Sequence, residues 1–281
     1  MRLLQFIFRF TDEANPDLLT AYLFTQGFSS FEEQEGRLLA YPDEAVRPDA
    51  VRKALHQRFG SAVTLEAVHE LKDRNWNEEW EKHYSSVLIA GKICVRAPFH
   101  PAADPHLIEI VVEPKMSFGT AHHETTSQVM ELMLDIDFRG RRVLDMGCGT
   151  AILAILAVKL GADGVLAIDN DRWAYENALE NAERNGLAGQ VRVIQADAGG
   201  IPDEQYHIIL ANINRNILMA DMNSYAAHLL SGGLLVLSGF YEDDLPAIEA
   251  GCSRLNLARI RYLERNRWVA AVFQASSQAQ K

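Results

Sequence analysis

The chain has 281 residues, of which 48% are hydrophobic and 23% are charged, and its formal net charge at pH 7 is -11. This composition is typical of a globular protein long enough for one large or two smaller domains, and the acidic balance argues against a surface that binds nucleic acid phosphates. Cys94, Cys148 and Cys252 are too few and too widely spaced for a disulfide framework, so we expect a cytoplasmic protein.

The N-terminal part of the chain predicts a small α+β domain. Its apolar start is interrupted by Arg9 before it is long enough for a signal peptide or a membrane span, so we expect a first strand and no membrane association. Strands are predicted at 2–10, 28–33, 37–41 and 63–68, and helices at 16–26 and 48–59. The order β-α-β-β-α-β predicts a ferredoxin-like domain over residues 1–71.

A polar, helix-forming segment follows at residues 72–84. It places Trp76 and Trp80 four residues apart, on one face of a helix. We interpret it as a linker helix between two domains. Two strands at 87–97 and 107–112 come next, before a polar loop that leads into an apolar helix at 127–134.

From Val143 onward, strands and helices alternate regularly. This alternation predicts a mainly parallel sheet with helices on both faces, an α/β fold of the Rossmann-like doubly wound type over residues 85–281. The predicted helices are 152–160, 173–185 and 216–230. Two late apolar segments, 257–262 and 268–273, indicate a hairpin, so the last strand is expected to run antiparallel.

The sequence VLDMGCGTA, residues 143–151, places glycines at the end of a predicted strand and before a helix. Glycine lets the backbone approach a ligand closely, so Gly147 and Gly149 predict a loop for a nucleotide, a dinucleotide or a sulfonium cofactor. Ile152 stands where a dinucleotide-binding motif needs its third glycine, and no Gly-Lys-Ser or Gly-Lys-Thr follows. Both observations disfavour a dinucleotide and a P-loop nucleotide.

Three aspartates accompany the ends of three successive strands. Asp169 can accept hydrogen bonds from both hydroxyls of an adenosine ribose. Asp197 ends the following strand, where an adenine amine could be bound. Asp145 precedes the glycines and is placed either to meet a cationic amine or to brace the loop. Each aspartate could instead cap the next helix, but together they favour an adenosine site.

These features resemble the S-adenosylmethionine-dependent methyltransferases with a Rossmann-like sheet. In that class an acidic residue precedes a GxGxG loop, and Ala151 replaces the last glycine here. The resemblance implies S-adenosylmethionine as the cofactor.

A second segment, SFGTAHHETT at residues 117–126, is similar to the FGTGTHPTT motif of the PrmA family, enzymes that methylate amino groups of the eleventh protein of the large ribosomal subunit. The matching residues are Phe118, Gly119, Thr120, His123, Thr125 and Thr126, whereas Ala121, His122 and Glu124 differ. An Asn-Ile pair at Asn212 and Ile213 also matches. The family's small recognition domain, linker and methyltransferase domain agree with the organisation predicted above.

The resemblance implies a set of site residues and a substrate. Cofactor contacts fall on Thr126, Gly147, Asp169 and Asn212, and Phe118 and Gly119 of the matching motif join them as candidates. Asn212 is the candidate catalytic residue, because its side-chain carbonyl can accept hydrogens from the acceptor amine. The implied substrate is a large-subunit ribosomal protein, modified on lysine side chains or its N-terminal amine.

Other interpretations remain open. His122, His123 and Glu124 are adjacent but lack a second ligand cluster, so we expect no metal site and assign His123 a hydrogen bond at the helix entry or a contact to the acceptor. Methylation of a glutamine amide or a base would favour an Asn-Pro-Pro-Tyr turn, and here no aromatic follows Asn212 directly. Methylation of RNA fits poorly with the net charge. A non-catalytic module that binds the cofactor is the remaining alternative.

Overall fold

The computed structural model describes residues 3–11, 16–34, 36–42, 46–71, 84–114 and 119–276. The chain divides into two compact units, Met1–His83 and Tyr84–Lys281. Apart from Tyr84, the predicted linker helix at 72–84 lies outside the described residues, and so does Phe118. The three proposed domain ranges therefore stay a prediction. In the described part of the chain, no helix is long and apolar enough to cross a membrane.

The N-terminal unit contains its elements in the predicted order. They are β1 (Leu3–Phe10), α1 (Pro16–Thr25), β2 (Phe28–Gln34), β3 (Arg37–Pro42), α2 (Pro48–Phe59) and β4 (Val63–Leu71). The strands form an antiparallel sheet in the order β2-β3-β1-β4. Phe6 and Phe28 pack edge to face in its core, with ring centroids 5.0 Å apart. Such an aromatic pair contributes stability beyond the area that it buries.

The C-terminal unit begins with a three-stranded sheet. Its strands are β5 (Val87–Ile89), β6 (Ile93–Arg96) and β7 (Ile108–Val111). The strand predicted at 87–97 is in fact a hairpin, because Ala90 and Gly91 take positive φ angles of 47° and 65° and reverse the chain. Pairing of β6 with β7 is parallel.

A seven-stranded sheet dominates this unit. Its strands are β8 (Arg142–Met146), β9 (Gly164–Asp169), β10 (Val191–Gln195), β11 (Tyr206–Asn212), β12 (Leu229–Tyr241), β13 (Leu257–Arg265) and β14 (Trp268–Ala275). They lie in the order β10-β9-β8-β11-β12-β14-β13. The five strands from β10 to β12 in that order pair in parallel, and β14 runs antiparallel to β12. The predicted Rossmann-like sheet and its antiparallel strand are confirmed.

Helices cover both faces of this sheet. They are α3 (Glu124–Met133), α4 (Ile152–Lys159), α5 (Arg172–Arg184), α6 (Arg215–His228) and α7 (Leu245–Arg254). One core cluster contains residues of α3, α4 and α5, and the other contains residues of α6 and α7. Because both faces are buried, the central strands are apolar almost throughout. The sequence pattern did not indicate α7, and α3 begins three residues before its predicted start.

A tight turn joins β13 to β14. Asn266 and Arg267 form the two-residue loop, with φ angles of 51° and 67°. Two positive φ angles are the signature of a type I′ turn, which matches the twist of a hairpin. The turn places Trp268, the first residue of β14, opposite Tyr241, the last residue of β12.

Candidate active site

The candidate site lies where the order of the parallel strands reverses. β8 is the first strand of the alternating series, and its neighbours are β9 on one side and β11 on the other. Ligands of open α/β sheets bind beyond the carboxyl ends of the strands at such a point. The glycine loop, residues 147–151, begins here, directly after Met146 ends β8.

The glycine loop bends through three positive φ angles. They are 65° at Gly147, 52° at Gly149 and 60° at Ala151. Ala151 is the N-cap of α4, and this left-handed conformation costs roughly 1–2 kcal/mol in a residue with a side chain. Residue 151, where the methyltransferase motif has its last glycine, therefore has a backbone conformation that favours glycine.

Asp169 connects the glycine loop to the end of β9. Its Oδ2 accepts a hydrogen bond from the Gly149 amide at 2.9 Å, and its Oδ1 accepts one from the Asp171 amide at 3.0 Å. The Cys148 amide donates to the Ile168 carbonyl at 3.0 Å. The glycine loop and the end of β9, which are both predicted to bind the cofactor, thus form one continuous surface. Each carboxylate oxygen keeps a second lone pair that a ribose hydroxyl could use.

Asp145 lies beneath this surface and is 1% exposed. Its Oδ2 accepts a hydrogen bond from the Ala154 amide at 3.0 Å, which ties β8 to the first turn of α4. Burial raises the pKa of Asp145 to about 7, and the nearby charge of Asp169 adds to this effect. Of the two roles expected for Asp145, the structure contains the brace. Its contact with a ligand stays a prediction.

Asp197 lies two residues beyond the end of β10 and is exposed. Its Oδ1 accepts a hydrogen bond from the Gly199 amide at 2.9 Å and caps the short turn Ala198–Gly200. This is the capping role that the sequence offered as the alternative. Because the Ala196 amide donates to the Asp169 carbonyl at 3.0 Å, Asp197 still lies near the ribose side of the site. A contact to adenine stays a prediction.

The segment from Gly119 to Thr126 packs against the glycine loop. The Thr150 hydroxyl donates to the Gly119 carbonyl at 2.5 Å. Gly119 has a φ of 101°, and a Cβ atom there would lie 2.7 Å from Thr150 Oγ1. Gly119 is therefore needed for this close packing, whereas its direct contact with a cofactor stays a prediction.

His122 and His123 have separate roles in this segment. His123 is the N-cap of α3, and its Nδ1 accepts a hydrogen bond from the Thr125 amide at 3.3 Å. The ring nitrogens of His122 lie 3.0 Å from the Thr120 carbonyl and 3.1 Å from the Ser85 carbonyl. Among the described residues, no group of three or more His, Cys, Asp or Glu is arranged to hold a metal ion.

Thr126 and Asn212 meet at the end of β11. Asn212 Nδ2 donates to Thr126 Oγ1 at 3.1 Å, and Thr126 is 3% exposed. Because the amide nitrogen is used in this bond, the Asn212 carbonyl oxygen is left to accept hydrogens from another group. The bond links α3 to the sheet and orients the candidate catalytic side chain.

Two glycines make room for the turn at residues 212–214, which we call the acceptor turn. A Cβ atom on Gly147 would lie 2.2 Å from Ile213 Cγ2, and one on Gly239 would lie 2.2 Å from the Ile213 carbonyl oxygen. The space beside Gly147 is therefore filled by Ile213. At Gly147 the sequence predicts only close approach of the cofactor and gives no sign of this packing role.

Two further groups of residues were missed. Asn181 donates from Nδ2 to the Thr150 carbonyl at 3.1 Å and accepts from the Glu113 amide at 2.9 Å, while Asn185 accepts from the Val111 amide at 3.0 Å. Asn181 therefore joins the glycine loop to the segment after β7, and Asn185 joins the end of α5 to the last residue of β7. Their four-residue spacing, which also includes Asn177, was a detectable signal.

The second missed group is aromatic. The rings of Tyr241 and Trp268 lie 4.0 Å apart, and the Trp268 ring lies 4.8 Å from that of His123. No aromatic residue directly follows Asn212 in the sequence, yet the fold brings two to the same edge of the sheet. No local pattern could predict this contact.

Comparison with known proteins agrees with this geometry. Residues 18–276 match the family model of ribosomal protein L11 methyltransferase (PrmA). A ribosomal protein L11 methyltransferase of Porphyromonas gingivalis is 45% identical over 95% of this chain and 93% of its own length, and one of Bacteroides fragilis is 40% identical over 95% and 98%. The crystal structure of a ribosomal protein L11 methylase from Lactobacillus delbrueckii subsp. bulgaricus superposes with a TM-score of 0.64 at 26% identity, covering 69% of this chain and 100% of that one.

The packing of the acceptor turn predicts that Gly239→Ala is strongly destabilising. The new methyl group would overlap the Ile213 carbonyl, at a position whose φ is 93°. We expect a loss of about 2–4 kcal/mol in the free energy of unfolding, measured by urea denaturation. Gly186→Ala is the control, because Gly186 has a φ of 72° but nothing within 4 Å of a new Cβ. An equal loss in both variants would show that only the backbone conformation matters.

The burial of Asp145 predicts a dependence of stability on pH. Its folded pKa of about 7 lies above the value of about 3.9 in an unfolded chain. The free energy of unfolding therefore decreases as pH rises from about 4 to about 7, because the unfolded chain releases this proton while the buried carboxyl keeps it. Asp145→Asn, which keeps an acceptor for Ala154, should gain roughly 2–4 kcal/mol over the wild type between pH 5 and pH 8. Parallel stability profiles of Asp145→Asn and the exposed control Asp203→Asn would refute this.

Proposed function

The chain belongs to the ribosomal protein L11 methyltransferase (PrmA) family, and we propose that it transfers methyl groups from S-adenosylmethionine to amino groups of ribosomal protein L11. The acceptors in this proposal are lysine side chains, the N-terminal amine, or both. The N-terminal unit, for which we retain the ferredoxin-like assignment, would recognise the substrate protein.

The residues at the carboxyl edge of the sheet fit S-adenosylmethionine. The Asp169 carboxylate would bind the ribose, and Asp197 would bind the adenine. The glycine loop, Gly119 and Phe118 would make the remaining contacts to the nucleoside. The first amides of α3 have no partner within the helix and favour negative charge, so at Thr126 they suit the cofactor's carboxylate. When bound, S-adenosylmethionine supplies an activated methyl group on a cationic sulfur.

The observation that carries this proposal is a pair of hydrogen bonds on the two sides of β8. One joins Gly149 to Asp169 at the end of β9, and the other joins Asn212 to Thr126 at the end of β11. A nucleoside held at the first would direct its reactive end toward the second. The chain's task is then alignment, since the methyl group is already activated.

The acceptor amine has to lose a proton before it can attack. A lysine has a pKa of about 10.4, and keeping it neutral near pH 7 costs roughly 4–5 kcal/mol. Removal from water and a neighbouring positive charge both lower that pKa. The Asn212 side-chain oxygen, fixed by the bond to Thr126, would accept one of the remaining amine hydrogens and aim the lone pair.

We also propose a cytoplasmic location and no direct contact with nucleic acid or membrane. Cys94, Cys148 and Cys252 are all free thiols, which suits a reducing compartment. The net charge of -11 suits a basic protein substrate better than RNA.

The division of roles is tested by two substitutions. Asp169→Ala should weaken the binding of S-adenosylmethionine at least ~10-fold, because hydrogen bonds from the ribose hydroxyls to a carboxylate are lost. Asn212→Ala should lower kcat about 10²-fold and weaken cofactor binding much less than it slows transfer, because the amine loses its alignment. Calorimetry measures the binding, and transfer of labelled methyl groups to purified L11 measures the rate.

Controls separate these effects from general damage. Asp203→Ala removes an exposed aspartate that precedes β11 at the opposite edge of the sheet and should match the wild type in both assays. Wild-type affinity in Asp169→Ala would reject the proposed placement of the ribose. Label that enters RNA, or that fails to enter L11, would reject the proposed substrate.

A further inference from the structure

We propose that Tyr241 and Trp268 form an aromatic wall that recognises the acceptor of the methyl transfer as an alkylammonium cation. This inference rests on the proposed function and adds the chemical class that the acceptor side of the site selects. It assigns a specificity role to residues outside the glycine loop and the acceptor turn.

The aromatic wall is a contact between two strand ends. Tyr241 is the last residue of β12, Trp268 is the first residue of β14, and the two residues are paired in the sheet. Their ring centroids lie 4.0 Å apart with an angle of 33° between the planes. Tyr241 is 46% exposed and Trp268 is half-buried, so solvent and ligands can reach the pair.

The aromatic wall is fixed in place from α3. The His123 ring packs edge to face against Trp268 at 4.8 Å, and Gln128, which is fully buried, donates from Nε2 to the Trp268 carbonyl at 3.2 Å. Thr126, on the same helix, bonds to Asn212. The aromatic wall and the candidate catalytic asparagine are therefore positioned by one helix.

The aromatic wall lies on the side of the acceptor turn that faces away from the glycine loop. Ile213 fills the space beside Gly147 on one side and the space beside Gly239 on the other. Tyr241 follows Gly239 by two residues on β12. In an in-line displacement, the acceptor nitrogen approaches from the side opposite the departing sulfur. With the cofactor at the glycine loop, the acceptor would come from the side of the aromatic wall.

The charge of the acceptor explains why aromatic faces suit this place. An amine with a pKa of about 10.4 arrives protonated at pH 7 and releases that proton to solvent before it attacks. The new C–N bond forms as the S–C bond breaks, and the product is a methylammonium cation. Aromatic faces attract such cations. Carboxylates flank the pair, since Glu242 follows Tyr241 and Glu124 accepts a hydrogen bond from Asn266 in the adjoining turn.

The test compares choline with its uncharged isostere, in which a tert-butyl group replaces the trimethylammonium group. NMR titration of the full chain should show choline binding about three- to tenfold more tightly than the isostere. Tyr241→Leu and Trp268→Leu should abolish this preference and raise the KM for L11, whereas Trp268→Phe should retain it. Tyr262→Leu is the matched control, because Tyr262 is 45% exposed on β13 of the same sheet.

The outcomes are distinct. Equal binding of choline and the isostere by the wild type, or a preference that survives in both leucine variants, would overturn the aromatic wall. If Trp268→Leu does not fold, Tyr241→Leu decides the question, because that side chain is half exposed. A wild-type chain that transfers no methyl group to L11 would reject the proposed function, while the titration would still decide whether the aromatic wall selects cations.

Discussion

The hydrogen bond from the Gly149 amide to the Asp169 carboxylate is the contact on which the candidate site depends. It holds the glycine loop, which follows β8, against the side chain of the last residue of β9. These two strand ends meet because β8 and β9 are paired in parallel. Asp145 supports the arrangement from below by holding the first turn of α4. Without the bond to Gly149, the Asp169 carboxylate would lose a hydrogen-bond partner and the orientation that this bond fixes.

A second set of contacts, around the acceptor turn, positions the acceptor end of the site. Ile213 fills the gap between Gly147 and Gly239, and the bond between Thr126 and Asn212 adds α3 to the same point. The glycines of this region thus serve the packing of the protein as well as the approach of a ligand. The distance between the nucleoside side and the acceptor side is consequently fixed by contacts within the core.

Sequence patterns were sufficient where the determinants were local. Strand-end aspartates, glycines at strand-to-helix turns and apolar periodicity predicted the parallel sheet and the neighbourhood of Asp169 with the glycine loop. They failed where the determinants were distant or weak. The contact between Tyr241 and Trp268 depends on the pairing of two strands far apart in the chain. The helix α7 contains Gly251 in its interior, which weakens a helical pattern. The full burial of Asp145 also follows only from three-dimensional packing.

A crystal structure of the full chain with S-adenosylhomocysteine tests the central claim most directly. The ribose hydroxyls should lie within hydrogen-bonding distance of the Asp169 carboxylate, while the sulfur lies on the side of Asn212 and faces the aromatic wall. A ligand bound away from the glycine loop, or one whose ribose lies beyond the reach of Asp169, would contradict the proposed site.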